Sequence, residues 1–479
     1  MALVFSVAAV VETARLSSLR DPDIWLHLRA GSWILEHGAW PVNGLFSQSA
    51  NLPWRDFNWG YDVAAALAYR ALGLRAVPAL LMVFRMILAA VVFFVAGGMR
   101  TNFWVSVLLS AVAQCVLSSM GPVAAGASAV LFGVELFLLT ESRRSGSSWR
   151  LFLLPLLFLF WANLDIGFVY GIGLYALYLV VLIVEKMGQV AKANWIETVP
   201  PGIPIGTAAS AGAACLVATL LSPYGYHAYP SFFAIEASPA NRYLPGHTAM
   251  SFHQPNDYLL LLLTMTAFLS LGVRRSRDPF LLSTLMACAA LSFHAQGENW
   301  IVTLAAAATI GSALPRRAES SSQQQVKDFR WRGPSLAAAI AVLVVALAFA
   351  FRVPRERDHL LARIAETFPV HACDQIREHQ LPRPLFNSYA WGSFLTWYLP
   401  EYPVAIDGRR GLYPDQEETD YFKVMIAEIP YQSFPPMQRA HTLLLDKQGV
   451  MGEALRGLPG FHVAYEDSIS IVLLQEKKE

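Results

Sequence analysis

The chain has 479 residues, of which 55% are apolar and only 15% charged, with mean hydropathy +0.41 and a formal net charge of +1. Soluble proteins average about 45–50% apolar and about 25% charged residues. These figures exclude a disordered chain, argue against an ordinary soluble enzyme, and leave no electrostatic footprint for nucleic acid. Four cysteines without a CxxC pair argue against a disulfide framework or a zinc site.

The composition predicts an α-helical polytopic membrane protein with a small C-terminal α/β soluble domain. A span needs about 20 mostly apolar residues. Met1–Leu19 reads as a first span rather than a cleaved leader, because it lacks a basic start and Glu12 interrupts it. Further spans are expected at Leu74–Ala96, Phe103–Ser119, Val123–Thr140, Leu151–Asn163, Gly167–Val184, Ile203–Leu221, Tyr258–Gly272, Phe280–Phe293, Ile301–Leu314 and Ser335–Phe351. That makes about eleven, several of them short enough to extend into their flanks. Lys and Arg alternate between loops. One set carries Arg100, Arg143, Arg144, Arg150, Lys186, Lys192, Arg274, Arg275, Arg277, Arg316 and Arg317, whereas the other carries little beyond Arg242 outside the long first loop. The basic loops are expected to be cytoplasmic. The external segments are then the first loop, 15–73, and the C-terminal domain, 354–479, leaving 1–353 as the transmembrane domain. The SSSQQQ tract at Ser320–Gln325 reads as a flexible cytoplasmic linker.

The first loop contains Trp25, Trp33, Trp40, Trp54 and Trp59, a residue type that favours the headgroup layer. Asp21-Pro22-Asp23 gives the signals of a helix start, and Gly38 those of a stop. Ile24, Leu28, Gly31 and Leu35 make one apolar stripe, so the helix is expected to lie on the outer membrane surface. A second such helix is expected over Asp62–Leu72. Asp23 and His27, at i and i+4, share a face. Local sequence leaves two readings for each acid: Asp21 as helix cap or catalyst, and Asp23 as partner of the helix dipole or catalyst.

The motifs Asp21-Pro22-Asp23-Ile24-Trp25-Leu26-His27-Leu28, Trp161-Ala162-Asn163-Leu164-Asp165-Ile166-Gly167, Ser222-Pro223-Tyr224-Gly225, Asn387-Ser388-Tyr389-Ala390-Trp391-Gly392 and Asp407-Gly408-Arg409 run along nearly the whole chain. Together they resemble the GT-C superfamily of membrane glycosyltransferases, which includes protein O-mannosyltransferases and lipid A aminoarabinose transferases, and more narrowly a bacterial group of GT-C-like membrane proteins. The sequence departs from that group's pattern at Leu26, at Ser222 and at Asp165, where a histidine is expected; Glu298 stands where a basic residue is expected.

The resemblance implies transfer of a sugar from a polyprenyl phosphate, at the outer face of the cytoplasmic membrane, to a glycan, lipid or protein acceptor of the cell envelope. A carboxylate must take the acceptor's proton, and cations or a divalent metal, Mg or Mn, must stabilise the leaving phosphate. It implies Asp23 as base with Asp21 supporting it, and His27 and Arg85 as phosphate ligands. Arg242, His247 and His253 lie in an external loop, Ser222–Asn256, that family enzymes use near the donor. Asp165 is expected either at a metal or acceptor or as the cap of the next helix. Arg85, a charge in mid-span, either binds substrate or pairs with Glu135.

The cytoplasmic loops contain no glycine-rich phosphate cradle for a nucleotide sugar. In the C-terminal domain, Leu361–Phe368, Cys373–His379 and Gly452–Leu458 read as helices. Phe394–Tyr398, Pro403–Ile406 and Thr442–Leu445 read as strands, with a closing hairpin at His462–Glu466 and Ser468–Gln475. Asp407-Gly408-Arg409-Arg410 could bind an acidic or sugar group, or form a turn closed by an internal ion pair. Two other classes fit the same spans: a non-catalytic membrane scaffold, and a transporter. The transporter fits less well, because the acids crowd at one boundary and no inverted repeat is seen.

Overall fold

The computed structural model describes residues 16–98, 101–190, 203–274, 278–314 and 357–476. The expected span Ser335–Phe351, the Ser320–Gln325 linker and the boundary at 353/354 lie outside these residues, as does most of the expected first span. Its expected last residues form a separate 3-10 turn, Ser17–Arg20.

The first two helices are α1, Asp23–His37, and α2, Trp59–Leu72, followed by the helices of the bundle: α3, Ala76–Val95; α4, Phe103–Val116; α5, Ala124–Ser145; α6, Leu154–Leu164; α7, Phe168–Val190; and α8, Ile205–Thr219. A short helix, α9, Ala228–Ala237, precedes α10, Pro255–Arg274, α11, Pro279–His294, and α12, Asn299–Ala313. Each expected span that lies in the described residues is thus a helix, several longer than the apolar run that marked it. Among the described residues, four stretches are long and apolar enough to cross a membrane: Trp59–Val95, Ala124–Ser145, Phe168–Gly188 and Pro255–Val273. The first of these joins α2 to α3 through a single 3-10 turn, so the second juxtamembrane helix starts at Trp59 rather than Asp62 and runs almost without a break into the bundle.

The soluble part holds α13, Arg357–Ala365, α14, Val370–Glu378, α15, Tyr389–Tyr398, and α16, Asp415–Met425. Its sheet comprises β1, Leu385–Asn387, β2, Thr442–Asp446, β3, Phe461–Glu466, and β4, Ser470–Gln475, in the order β1-β2-β4-β3. The first pair is parallel and the other two antiparallel. The expected strand Phe394–Tyr398 is instead the end of α15. Its aromatic composition suits a strand, but Trp391, Phe394, Leu395 and Tyr398 recur at helical spacing, and the first three are buried together. Pro403–Ile406 makes only an isolated bridge, from Val404 to Ser47.

Alternation along β2 splits the core. Leu444, with Leu385 and Val472, faces a cluster that contains Ile24, Trp25 and Leu28 of α1. Leu443 and Leu445 face a second cluster with Tyr421, Met451 and Leu455. The C-terminal domain therefore shares its core with α1.

This overturns the expectation that α1 lays its apolar stripe on lipid: Ile24 and Leu28 are fully buried in protein. Trp25 is also fully buried, not at a headgroup belt, with its ring 5.9 Å from Phe368, 5.6 Å from Phe394 and 4.6 Å from Trp397. A tryptophan buries about 150–250 Å², roughly 4–6 kcal/mol at 25 cal/mol/Å², which outweighs the roughly 1–3 kcal/mol lost because its indole N–H lacks a partner. Packing against the soluble domain is what fixes α1.

Candidate active site

The start of α1 is set by Asp21, whose Oδ1 accepts the Asp23 N–H at 3.0 Å. Asp21 does not line the cavity described below. The helix ends at Gly38, which adopts a left-handed φ of 62°. Gly31 lets α1 and α2 cross closely, because a Cβ there would sit 1.9 Å from the Asp62 carbonyl oxygen. That crossing brings His27, one turn earlier on α1, against Asp62 of α2. Their Nδ1 and Oδ1 atoms are 2.6 Å apart, and both side chains are buried. Burial holds the His27 pKa below its ordinary value, with Asp23, Asp56, Asp21 and Asp165 pulling the other way. The Asp62 contact fixes the ring through Nδ1 and leaves Nε2 as the nitrogen that Asp62 does not engage.

Asp23 and His27 line a cavity of about 410 Å³. The first external loop supplies Arg55, Asp56 and Asp62 to its wall. The α6–α7 turn supplies Asp165, the second external loop supplies Glu236 and His247, the α11–α12 turn supplies Glu298, and the soluble domain supplies Gly408 and Arg410. Asp23 is wetted by this space although protein surrounds it. Burial raises its pKa, while His27 and then Arg410 oppose the rise. Gly408 brings the soluble domain close to Asp23, since a Cβ there would come within 3.1 Å of Asp23 Oδ1.

Asp165 Oδ2 accepts from the Gly167 N–H at 3.1 Å and from the Ser128 hydroxyl. It caps the turn into α7 and faces the cavity as well, and burial raises its pKa. Glu298 is pushed up to about 8, first by burial and then by Glu236 and Asp165. His247 is pushed down to about 4, by burial and then by Arg410. Both shifts favour the uncharged form.

Besides Asp21, two expected site residues lie elsewhere. Arg85 does not line the cavity; its Nη2 donates to the Ser118 and Met120 carbonyls at 3.0 and 2.8 Å, tying down the chain after α4. Its proposed partner Glu135 has no hydrogen-bond partner for either carboxylate oxygen among the described residues. Arg242 is exposed and outside the cavity, with Nε donating to the Pro239 carbonyl at 3.1 Å. Among the described residues, no group of three or more His, Cys, Asp or Glu is placed to hold a metal ion.

The motifs of the soluble domain build the turn that reaches Asp23. Asn387, fully buried, accepts the Ala405 N–H at 2.8 Å and donates to the Ile406 carbonyl at 2.8 Å. Asp407 and Arg409 form a buried ion pair inside the turn, with Nη2–Oδ2 at 2.7 Å. Arg409 and Arg410 both line the cavity, but the Arg409 guanidinium is held by Asp407. Sequence reasoning missed Asp56, Asp62, Arg55 and Glu236. The available signal was a charge at the start of an otherwise apolar helix, Asp62, with Arg55-Asp56 just ahead of it.

No family model and no curated protein match the chain. Among solved structures the chain is similar to the crystal structure of ArnT from Cupriavidus metallidurans bound to undecaprenyl phosphate. The identity is 14% and the TM-score 0.48, over 98% of this chain and 97% of that one.

Proposed function

We propose that this chain is an integral-membrane glycosyltransferase that moves a sugar from a polyprenyl-phosphate-linked donor to an acceptor at the outer face of the cytoplasmic membrane. The observation that carries this reading is the convergence of Asp23, His27, Asp165 and His247 on one cavity, at the end of the apolar helices and beneath the soluble domain. In the proposed step the acceptor hydroxyl gives its proton to the Asp23 carboxylate. Its oxygen bonds to the anomeric carbon, the carbon–oxygen bond to phosphate breaks, and the polyprenyl phosphate leaves with the electron pair, inverting the centre. His27, held at Nδ1 by Asp62, presents Nε2 to a hydroxyl of donor or acceptor.

The decisive assay gives the purified protein polyprenyl-phosphate sugars and nucleotide sugars in parallel. Transfer from the lipid-linked donor is expected. Transfer from the nucleotide sugar alone refutes the reading, and turnover of neither donor favours a non-catalytic membrane scaffold. The reading also requires the cavity and soluble domain to face outward, as the basic loops imply. A reporter active only in the cytoplasm, fused after Glu479, is expected to stay silent; strong activity would place the site on the wrong side.

A further inference from the structure

Two carboxyl groups stand behind His27. Asp62 is the first, with Oδ1 2.6 Å from His27 Nδ1. Asp56 is the second; it is 3% exposed, against 2% for Asp62. The two carboxyl groups lie within hydrogen-bonding reach of each other. A turn at the start of α2 places them there. Asp56 Oδ1 accepts the Asn58 N–H at 3.1 Å, and its carbonyl accepts the Trp59 N–H at 3.2 Å. The Asn58 carbonyl in turn accepts the Asp62 N–H at 3.0 Å.

Asp56 Oδ2 is buried, and no donor reaches it among the described residues. An ionised carboxylate only accepts hydrogen bonds. Two ionised carboxylates in contact would repel each other, and Oδ2 would be a charge out of water without a partner. One proton on Asp56 removes both problems, because it turns the bare oxygen into a donor. Burial holds the Asp56 pKa well above its ordinary value, and Asp62 beside it raises it further, through its charge and their mutual hydrogen bond. His27 and the Asn58 N–H oppose the rise. The phenols nearby do not supply the donor. Tyr224, which faces Asp56 from the turn between α8 and α9, donates to the Pro41 carbonyl at 3.0 Å. Tyr61, beside Asp62 with its ring 5.0 Å from His27, donates to the Pro122 carbonyl. Arg55 stands by Tyr224, and Asp23, Asp21 and Asp165 face His27 from its other sides.

We propose that Asp56 is a positioning residue: as a neutral carboxylic acid it donates a hydrogen bond to the Asp62 carboxylate, and Asp62 so held fixes His27 with Nε2 toward the cavity. Its role in transfer rests on the glycosyltransferase reading above. The proton on Asp56 does not, and it is read without substrate.

Asp56→Asn reproduces both bonds of the neutral acid, since the amide oxygen accepts the Asn58 N–H and the NH2 group donates to Asp62. Asp56→Ala keeps neither. Infrared spectra of the full-length protein in nanodiscs at neutral pH are compared, parent minus Asp56→Asn. The difference is expected to show the carbonyl band of one protonated carboxylic acid; a carboxylate band in its place overturns the proposal. In the histidine NMR spectrum, with the His27 signal assigned through His27→Gln, Asp56→Asn is expected to keep the parent's ring signal and Asp56→Ala to shift it. A His27 signal that Asp56→Ala leaves unmoved overturns the positioning role. With a polyprenyl-phosphate sugar as donor, Asp56→Ala is expected to lower kcat roughly tenfold with little change in KM, the worth of one buried hydrogen bond. Asp56→Asn is expected to restore most of that loss. The pH profile separates this role from simple capping of α2. As pH rises through the raised Asp56 value the acid ionises, repels Asp62 and releases His27, so turnover of the parent falls on the alkaline side. Asp56→Asn has no proton to lose and should lack that limb. An Asn variant as impaired as the Ala variant would mean that Asp56 acts in its ionised form, which overturns the proposal. A parent that turns over no lipid-linked sugar removes the transfer reading and leaves the infrared and NMR comparisons to decide this one.

Discussion

Replacing Asp23 by Asn lowers glycosyl transfer roughly 10²–10⁴-fold, the usual worth of a positioned general base. The substitution keeps the size of the side chain and most of its hydrogen-bonding capacity, and removes only basicity. Stability changes little, since an acid in the first turn of a helix contributes about 0.3–1 kcal/mol, whereas Trp25 two residues on buries several times that. The pH profile carries a second signature. Burial raises the Asp23 pKa and His27 and Arg410 restrain the rise. The base must be ionised, so turnover declines as pH falls through that raised value, and the acid limb lies above the ordinary aspartate range near 3.9. Neutralising Arg410 removes a restraint and moves the limb to higher pH. Full activity in the Asp23→Asn variant would place the base elsewhere, with Asp165, on the same cavity, the next candidate. Loss of the folded protein would mean that Asp23 is structural.

The helices of the membrane part were legible because a run of apolar residues is a local signal. Their ends were less so: α5 runs on to Ser145 because Arg143, which interrupts the apolar pattern, is neutralised by Glu185 and Asp278 from two other elements. The helix start at Asp21-Pro22-Asp23 was equally local, fixed by one side chain and one backbone N–H. What the sequence did not disclose was the partner of each face. Ile24, Trp25 and Leu28 make a stripe that suits lipid or protein equally well, and only the fold shows Phe368 and Phe394 covering it, more than 340 residues away. The same holds for the site. Asp23 and His27 share a helix face and could be paired on paper. The Asp62 that orients His27, and the Arg410 that faces Asp23, arrive through contacts that no periodicity encodes. Arg85 misled for a related reason. A charge inside a span must be satisfied, and here backbone carbonyls at the end of α4 contribute to that.

Replacing Asp407 by Ala destabilises the soluble domain by about 3–5 kcal/mol, because it strands a guanidinium in the interior. Both partners of the Asp407–Arg409 pair have no exposed side-chain surface. Asp407 also accepts the Arg409 N–H at 3.0 Å, so the same carboxylate closes the turn and neutralises the charge. The rings of Trp54 and Phe46, 4.9 and 5.8 Å from the guanidinium, soften the loss but cannot replace a counterion. Thermal unfolding and limited proteolysis of the purified protein should show the loss within residues 357–476. The double variant Asp407→Ala, Arg409→Met removes the stranded charge and is expected to recover most of the stability, since a buried pair replaced by apolar groups is often neutral. Activity separates the two roles of the turn. Gly408 against Asp23 and Arg410 at the cavity both depend on its shape, and Asp407 shapes it through a backbone N–H that methionine at 409 does not restore. The double variant should therefore be stable and still impaired in transfer. Recovery of both properties would mean that the pair serves stability alone, and parent-like stability of the single Asp407→Ala variant would show that Arg409 finds another counterion.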